Sequence, residues 1–182
     1  MRLTLYSQRL ILRNFKLEDA ESMYSSYCCS DKVTKYLSWY THQSLSVTQE
    51  YLTKFKLPAL DDDLLDLAIT LKDNVDCVLG SIGFVDIQDG VAEVGYVIAE
   101  TYWNQGMMSE VLNTLINYAF TSMPIHKIIA IHHVDNIGSG RVMEKCGMHF
   151  TGLTKTKRKI DSEADDLIEC KRYELEKTEW TK

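Results

Sequence analysis

The feature that most narrows the fold is one long amphipathic helix pattern held between two short apolar runs. Residues 92–98 read as a strand, and residues 126–132 return to a β-branched apolar run. Between them, residues 106–122 place Val111, Leu112, Leu115, Ile116, Ala119 and Phe120 on one helical face, and Pro124 closes the pattern. A strand, a helix and a strand in this order make a βαβ-like unit. If its strands lie parallel and side by side, ligands belong at their carboxyl ends, where the sheet changes direction.

The flanking sequence fills in the rest of the sheet. Residues 8–13 alternate as a short strand. Residues 16–30 carry Leu17, Ala20, Met23, Tyr24 and Tyr27 at helical spacing, with Glu18 and Asp19 in the first turn, where the dipole favours acids. A second helix is expected over 46–57, with Val47, Tyr51, Leu52 and Phe55 on one side; Pro58 and Asp61-Asp62-Asp63 then mark a loop. Strands come next at 65–71 and 77–87. Asp89-Gly90 sits between alternating apolar runs and predicts a hairpin turn, so three strands form an antiparallel meander. A helix over 137–145 ends at Gly147, and strands at 148–157 and 165–175 enclose a polar turn. The order is βααβββαβαββ, an α/β (α+β) arrangement in one domain spanning 1–182 without linker or repeat.

With 182 residues, 45% of them hydrophobic, the chain has enough apolar surface for a sizeable core. Its net charge of −6 argues against a broad nucleic-acid surface and favours cationic partners through its field. The basic run Lys155 to Lys159 is expected as a solvated face. No apolar stretch is long enough for a membrane helix, and residues 1–9 do not resemble a secretory signal. The five cysteines are odd in number and lack a C-x-x-C pair, so neither disulfides nor a zinc site is expected. A reduced, cytoplasmic protein that binds no metal, nucleic acid or membrane is the plain reading.

Two segments carry chemistry. In the first, Glu93-Val94-Gly95-Tyr96 leads through Tyr102-Trp103-Asn104-Gln105-Gly106 into the long helix. A helix start offers unpaired N–H groups to an anion, and Gly106 lets a phosphate approach; the same glycine also suits a plain turn. Neither the G-x-G-x-x-G nor the P-loop fingerprint is present. The second segment runs from Asn136 through Gly138, Ser139, Gly140, Arg141 and Lys145 to Met148. Asn136 is a natural N-cap, and Arg141 and Lys145 share a helix face. His132 and His133 are adjacent on a strand, point to opposite faces and cannot share a metal. Cys146 is expected to be packed. Trp39, Tyr40 and Tyr51 are either core or the wall of a substrate site.

Taken together, these segments resemble the GNAT acetyltransferases, within the branch that includes ribosomal-protein N-terminal acetyltransferases. Arg9-Leu10-Ile11-Leu12-Arg13, Gly80-Ser81-Ile82-Gly83 and residues 173–180 are similar to that branch as well. The resemblance implies a mixed, mainly antiparallel sheet flanked by helices, with splayed central strands, and acetyl-CoA as co-substrate. It assigns the pantetheine arm to the backbones of Tyr96, Val97 and Ile98. The pyrophosphate falls to Asn104, Gln105, Gly106, Met107, Met108 and Ser109, with Asn136 and Ser139 facing the cofactor and Arg141 or Lys145 reaching the adenosine phosphates. The family loop Q/R-x-x-G-x-G/A is altered here: Trp103 replaces the first residue and Met108 the last.

The implied reaction is direct attack of a neutral amine on the thioester, the amine belonging to a protein N-terminus or a small molecule. A backbone N–H near Val97 would stabilise the oxyanion. For Glu93 two readings stand, a base acting through water or a structural group; for Ser139, an acid for the thiolate or a cap. A homodimer is left open, as are a non-catalytic acyl-CoA-binding sensor and a nucleotide-binding protein using the Gly106 loop.

Overall fold

A computed structural model of the chain describes residues 3–58, 64–159 and 166–180. Eight strands form one sheet: β1 (Thr4–Tyr6), β2 (Leu10–Asn14), β3 (Asp66–Leu71), β4 (Asn74–Gln88), β5 (Val91–Ile98), β6 (Lys127–His133), β7 (His149–Lys157) and β8 (Leu167–Glu176). Their order is β1-β2-β3-β4-β5-β6-β8-β7. Only β5 and β6 run parallel; every other neighbouring pair is antiparallel. The hairpin expected at Asp89-Gly90 is present, with φ of 49° and 78° at its two residues, the paired positive values of a type I′ turn.

Helices α1 (Ala20–Met23), α2 (Asp31–Thr34) and α3 (Leu45–Tyr51) cover one face, and α4 (Met107–Ser122) and α5 (Ile137–Lys145) the other. All six residues expected inward on α4 are buried. They pack on Leu12, Ile69, Ile82, Val94 and Ile128 in the larger of two cores. The smaller core holds Phe15, Met23, Tyr27, Leu52, Val78, Val97 and Ala99 beneath α1 to α3. Val94 and Val97 thus face opposite sides, as alternation along a strand requires.

The N-terminal third departs from the periodic reading. β1 is an additional edge strand, too short to show a period. The helix expected over 16–30 is a 3-10 turn at Leu17–Asp19, then α1, then a wide π turn at Tyr24–Cys28, and α2 is a separate element. Leu17 is exposed rather than inward. In α3 and the turn that follows it Thr48 and Leu52 are buried, while Val47 and Phe55 are exposed. Two features account for this. His42 Nδ1 pairs with the Thr48 hydroxyl inside the core at 2.8 Å, which holds that side of the helix inward, and the π turn at Leu52–Lys56, where Phe55 lies, departs from helical spacing by roughly 100° per added residue. The basic run is not wholly solvated either. Lys159 Nζ donates to the carbonyls of Thr34, Leu37 and Trp39 at 3.3, 2.7 and 2.9 Å. The acidic loop at 61–63 and the turn before β8 lie outside the described residues.

Candidate active site

The parallel ladder between β5 and β6 holds four register pairs, from Val91–Lys127 to Val94–Ala130, and then stops. Both strands continue, β5 to Ile98 and β6 to His133, so they part and leave a gap at their carboxyl ends. Backbone alternation decides what the gap offers. The Ala99 N–H donates to the Leu79 carbonyl at 2.8 Å, so in this antiparallel ladder Val97 also turns its N–H and C=O toward β4. A Cβ on Gly80 would meet the Val97 carbonyl at 2.2 Å, consistent with that direction. Tyr96 and Ile98 therefore turn theirs toward the gap. The Trp103 indole N–H takes the Ile98 carbonyl at 2.9 Å. The Tyr96 N–H and C=O and the Ile98 N–H remain.

A cleft of about 690 Å³ opens here. Two helix starts face it, and they differ. At α4 the N-cap is Gly106 in the left-handed region at φ 73°, with no side chain bonded to the first-turn amides. Those amides are open to an anion. At α5 the N-cap Asn136 accepts the Ser139 N–H at 3.4 Å, so its own side chain already satisfies that end. Arg9 and Ser7 fasten the loop before β2 to the first turn of α4 through Glu110, with contacts between 2.6 and 2.8 Å. Burial raises the Glu110 pKa, but the Ser7 hydroxyl with the Arg9 amide and guanidinium hold it below the usual carboxylate range.

The cleft brings together Tyr96, Val97, Ile98, Asn104, Gly106, Met107, Met108, Ser109, Asn136, Ser139 and Arg141 of the residues singled out from sequence. Gln105 and Glu93 are not on its wall. Gln105 is exposed; its side chain donates to the Thr101 carbonyl at 2.6 Å and its own carbonyl accepts from Arg9. Glu93 is half-buried at the last paired stretch of β5, on the Val97 face and opposite Asp86 in register. Burial lifts its carboxyl above the ordinary range; the Arg172 guanidinium opposes this and the Asp86 carboxylate adds to it. Burial likewise pushes the Cys146 thiol up to about 12, leaving it neutral and packed, with Sγ donating to the Ser109 carbonyl.

Two features of the site were not read from the sequence. One is the phenol of Tyr96, which crosses the gap to α5 and lies 2.9 Å from Ser139 Oγ and 3.1 Å from the Ser139 carbonyl. Burial raises its pKa strongly, so it stays protonated. The other is the wall from α2, where Lys32, Val33, Lys35, Tyr36 and Leu37 close the cleft opposite α5. Lys32 pairs with Glu100 and lies 5.7 Å above the Trp103 ring. Trp39 and Tyr51 pack with His42 on the smaller core, and Tyr40 is exposed under Lys159; none of the three lines the cleft. Among the described residues no cluster of metal ligands occurs, and no helix is long and apolar enough to cross a membrane.

Comparison with known proteins gives consistent results. The family described as acetyltransferase (GNAT) domain matches residues 9–149. The N-acetyltransferase p20 of Bacillus licheniformis, itself uncharacterized, is 30% identical over 179 residues, covering 97% of this chain and 98% of the relative. A GNAT-family acetyltransferase from Bacillus anthracis superposes with a TM-score of 0.80 at 24% identity, covering 97% of this chain and 99% of that one. A ribosomal L7/L12 alpha-N-protein acetyltransferase in complex with coenzyme A gives 0.79 at 19% identity, covering 96% and 98%.

Proposed function

The chain belongs to the GNAT acetyltransferase family, and on that premise we propose how its own residues move an acetyl group from acetyl-CoA to a primary amine. One observation carries the reading: the ladder stops at Val94–Ala130 beside a helix start that no side chain caps, and both open onto one cleft. The amides of residues 107–109 receive the pyrophosphate, with Asn104 and Gly106 shaping the approach. The pantetheine arm pairs with the peptide groups of Tyr96 and Ile98, in place of the missing β6 partner. Val97 contributes its side chain to the wall. Arg141 and Lys145 face the adenosine phosphates.

In the chemical step the amine nitrogen bonds to the thioester carbon, and the carbon–sulfur bond breaks. The Tyr96 N–H, nearer than Ile98 to the point where the strands part, faces the carbonyl oxygen as charge develops there, leaving the Tyr96 carbonyl and the Ile98 N–H to the pantetheine arm; such donors are typically worth about 3–4 kcal/mol of barrier. Glu93 accepts the amine proton through water, because its position off the cleft wall requires an intermediary. Its raised pKa makes it a better base than an exposed carboxylate. Ser139 supplies a proton to the departing thiolate and regains one from water, to which Glu93 returns the proton taken from the amine. The acceptor is a protein N-terminus or a small amine, and the fold alone does not choose between them.

Purified protein mixed with acetyl-CoA and a panel of amines should release free coenzyme A thiol and bind acetyl-CoA in calorimetry. Binding without thiol release for any amine would assign a sensor instead. Absence of measurable affinity would overturn the cofactor assignment altogether. A cytoplasmic location, a single domain over 1–182 and a homodimer belong to the same proposal; fractionation and light scattering test the first and last.

A further inference from the structure

The two faces of the parted strands carry different chemistry. His132 turns toward α5, where a Cβ on Gly140 would lie 2.9 Å from its Nε2. His133 turns to the other face and stacks on Tyr36 at 4.9 Å between ring centres. On that face a second cavity of about 290 Å³ shares Lys35, Tyr36, Leu37 and Asp135 with the main cleft and adds His133, Arg158 and Ile168. An amine arriving there reaches the gap from the side away from α4 and α5, where the cofactor is assigned.

This cavity is built to present donors. Lys35 lies 5.0 Å above the Tyr36 ring and has no ion-pair partner among the described residues. Arg158 pairs with Asp166 through Nε at 3.0 Å, so its two terminal nitrogens are not spent on that pair. The His133 Nδ1 accepts the Asp135 backbone N–H at 3.1 Å, which assigns the ring proton to Nε2 and makes that atom a donor. The Lys159 ammonium gathers the carbonyls of Thr34, Leu37 and Trp39, tying the segment that bears Lys35 to the strand end that bears Arg158. Among the described residues Asp135 is the one carboxylate on this wall, and it is mostly exposed.

We infer that the cavity seats a carboxylate of the acceptor, so that the substrate class is a primary amine whose far end carries a carboxyl group. The inference rests on the cleft reading above and deepens it. It runs against what the net charge of −6 suggests: the carboxylate would meet the Lys35 ammonium and the terminal nitrogens of Arg158, with Asp135 and the Asp166 partner of Arg158 opposing them. Charge-assisted bonds from a guanidinium and an ammonium recognise a carboxylate far better than the neutral amide of the same shape. The small volume suits one short aliphatic or side-chain carboxylate.

The test compares matched acceptors with acetyl-CoA: 4-aminobutyrate against 4-aminobutyramide, and an aspartate-containing peptide against its asparagine counterpart. In at least one pair the carboxylate form should be favoured about tenfold or more in kcat/KM. The pair that shows the preference separates a free small acid from an acidic chain terminus. Arg158→Gln and Lys35→Gln should each shrink the ratio, while Lys155→Gln, in β7 just before Arg158 but outside the cavity, should leave it. Calorimetry of the same acceptors on the coenzyme A complex reads the preference where turnover is slow. A ratio near one in both pairs, by turnover or by binding, overturns this inference alone. Failure of acetyl-CoA itself to bind overturns the cleft reading beneath it.

Discussion

Tyr96 joins the two halves of the site with one side chain. Its backbone turns toward the gap and its phenol reaches Ser139 on α5. The phenol stays protonated and has two acceptors in reach, the Ser139 carbonyl and Oγ; when its one proton goes to Oγ, the serine proton is left free to turn toward a departing sulfur. Tyr96→Phe keeps the ring and removes this bond. Its expected effect is a fall in kcat of about tenfold with KM for acetyl-CoA nearly unchanged, since one hydrogen bond is worth about 1–1.5 kcal/mol. Steady-state kinetics checks this, and a thioester with a more acidic thiol should lose less because its leaving group needs less help. Glu93 makes a second prediction with a defined sign. Its folded pKa is raised, so the ionised form weakens the fold and that cost appears as pH rises through the folded value. Glu93→Gln should therefore be at least as stable as the parent at pH 7, and the advantage should vanish in acid, while acetyl transfer is strongly reduced. Thermal melts between pH 4 and pH 8 (roughly, spanning the carboxylate range) read this, and a destabilised variant at neutral pH would contradict the base assignment.

Among the elements, α5 is placed by a glycine. Gly140 is buried against β6, and a Cβ there would lie within 2.9 Å of His132 and 3.4 Å of the Tyr173 hydroxyl. Gly140→Ala should push α5 outward, costing about 1–3 kcal/mol by overcrowding and separating Ser139 from Tyr96. Denaturant melts give the first effect and lowered kcat the second; an unperturbed variant would show that the helix has room to spare. The sequence reveals α4 through its long, regular apolar period closed by Pro124, and α5 through the cap Asn136 at its start and Gly147 just beyond its end. β3 to β6 are legible for a similar reason, being apolar runs bounded by turn residues such as Asp89-Gly90. The segments under α1 to α3 are not legible, since π turns at Tyr24–Cys28 and Leu52–Lys56 break the 3.6 period on which such reading depends. Val47 and Phe55 fit a helical face on paper and yet face solvent. The site divides along the same line. Residues from Asn104 to Ser109 and from Asn136 to Arg141 are contiguous motifs. The wall at Lys35, His133 and Arg158 is assembled from three distant segments, and no local pattern joins them.

At the scale of the whole molecule, β1 to β5 and β6 to β8 meet through only four register pairs, backed by the packing of α4. A cofactor lying in the gap would extend that seam by supplying the partner that β6 withholds. Acetyl-CoA present at a hundredfold excess over its dissociation constant should add about 2.7 kcal/mol to stability. For a chain of this size that corresponds to a rise in Tm of about 5–10 °C. Many ligands would raise Tm, so the more telling measurement is hydrogen exchange at single amides along β5. The Val97 N–H, turned to β4, should be protected with or without ligand. The Tyr96 and Ile98 N–H groups, turned to the gap, should exchange quickly in the free protein and slow markedly when acetyl-CoA is bound. Protection spread evenly over all three amides would mean that the ligand tightens the sheet from elsewhere. Slowing confined to the alternate pair would mean that the pantetheine arm completes the ladder where β6 departs.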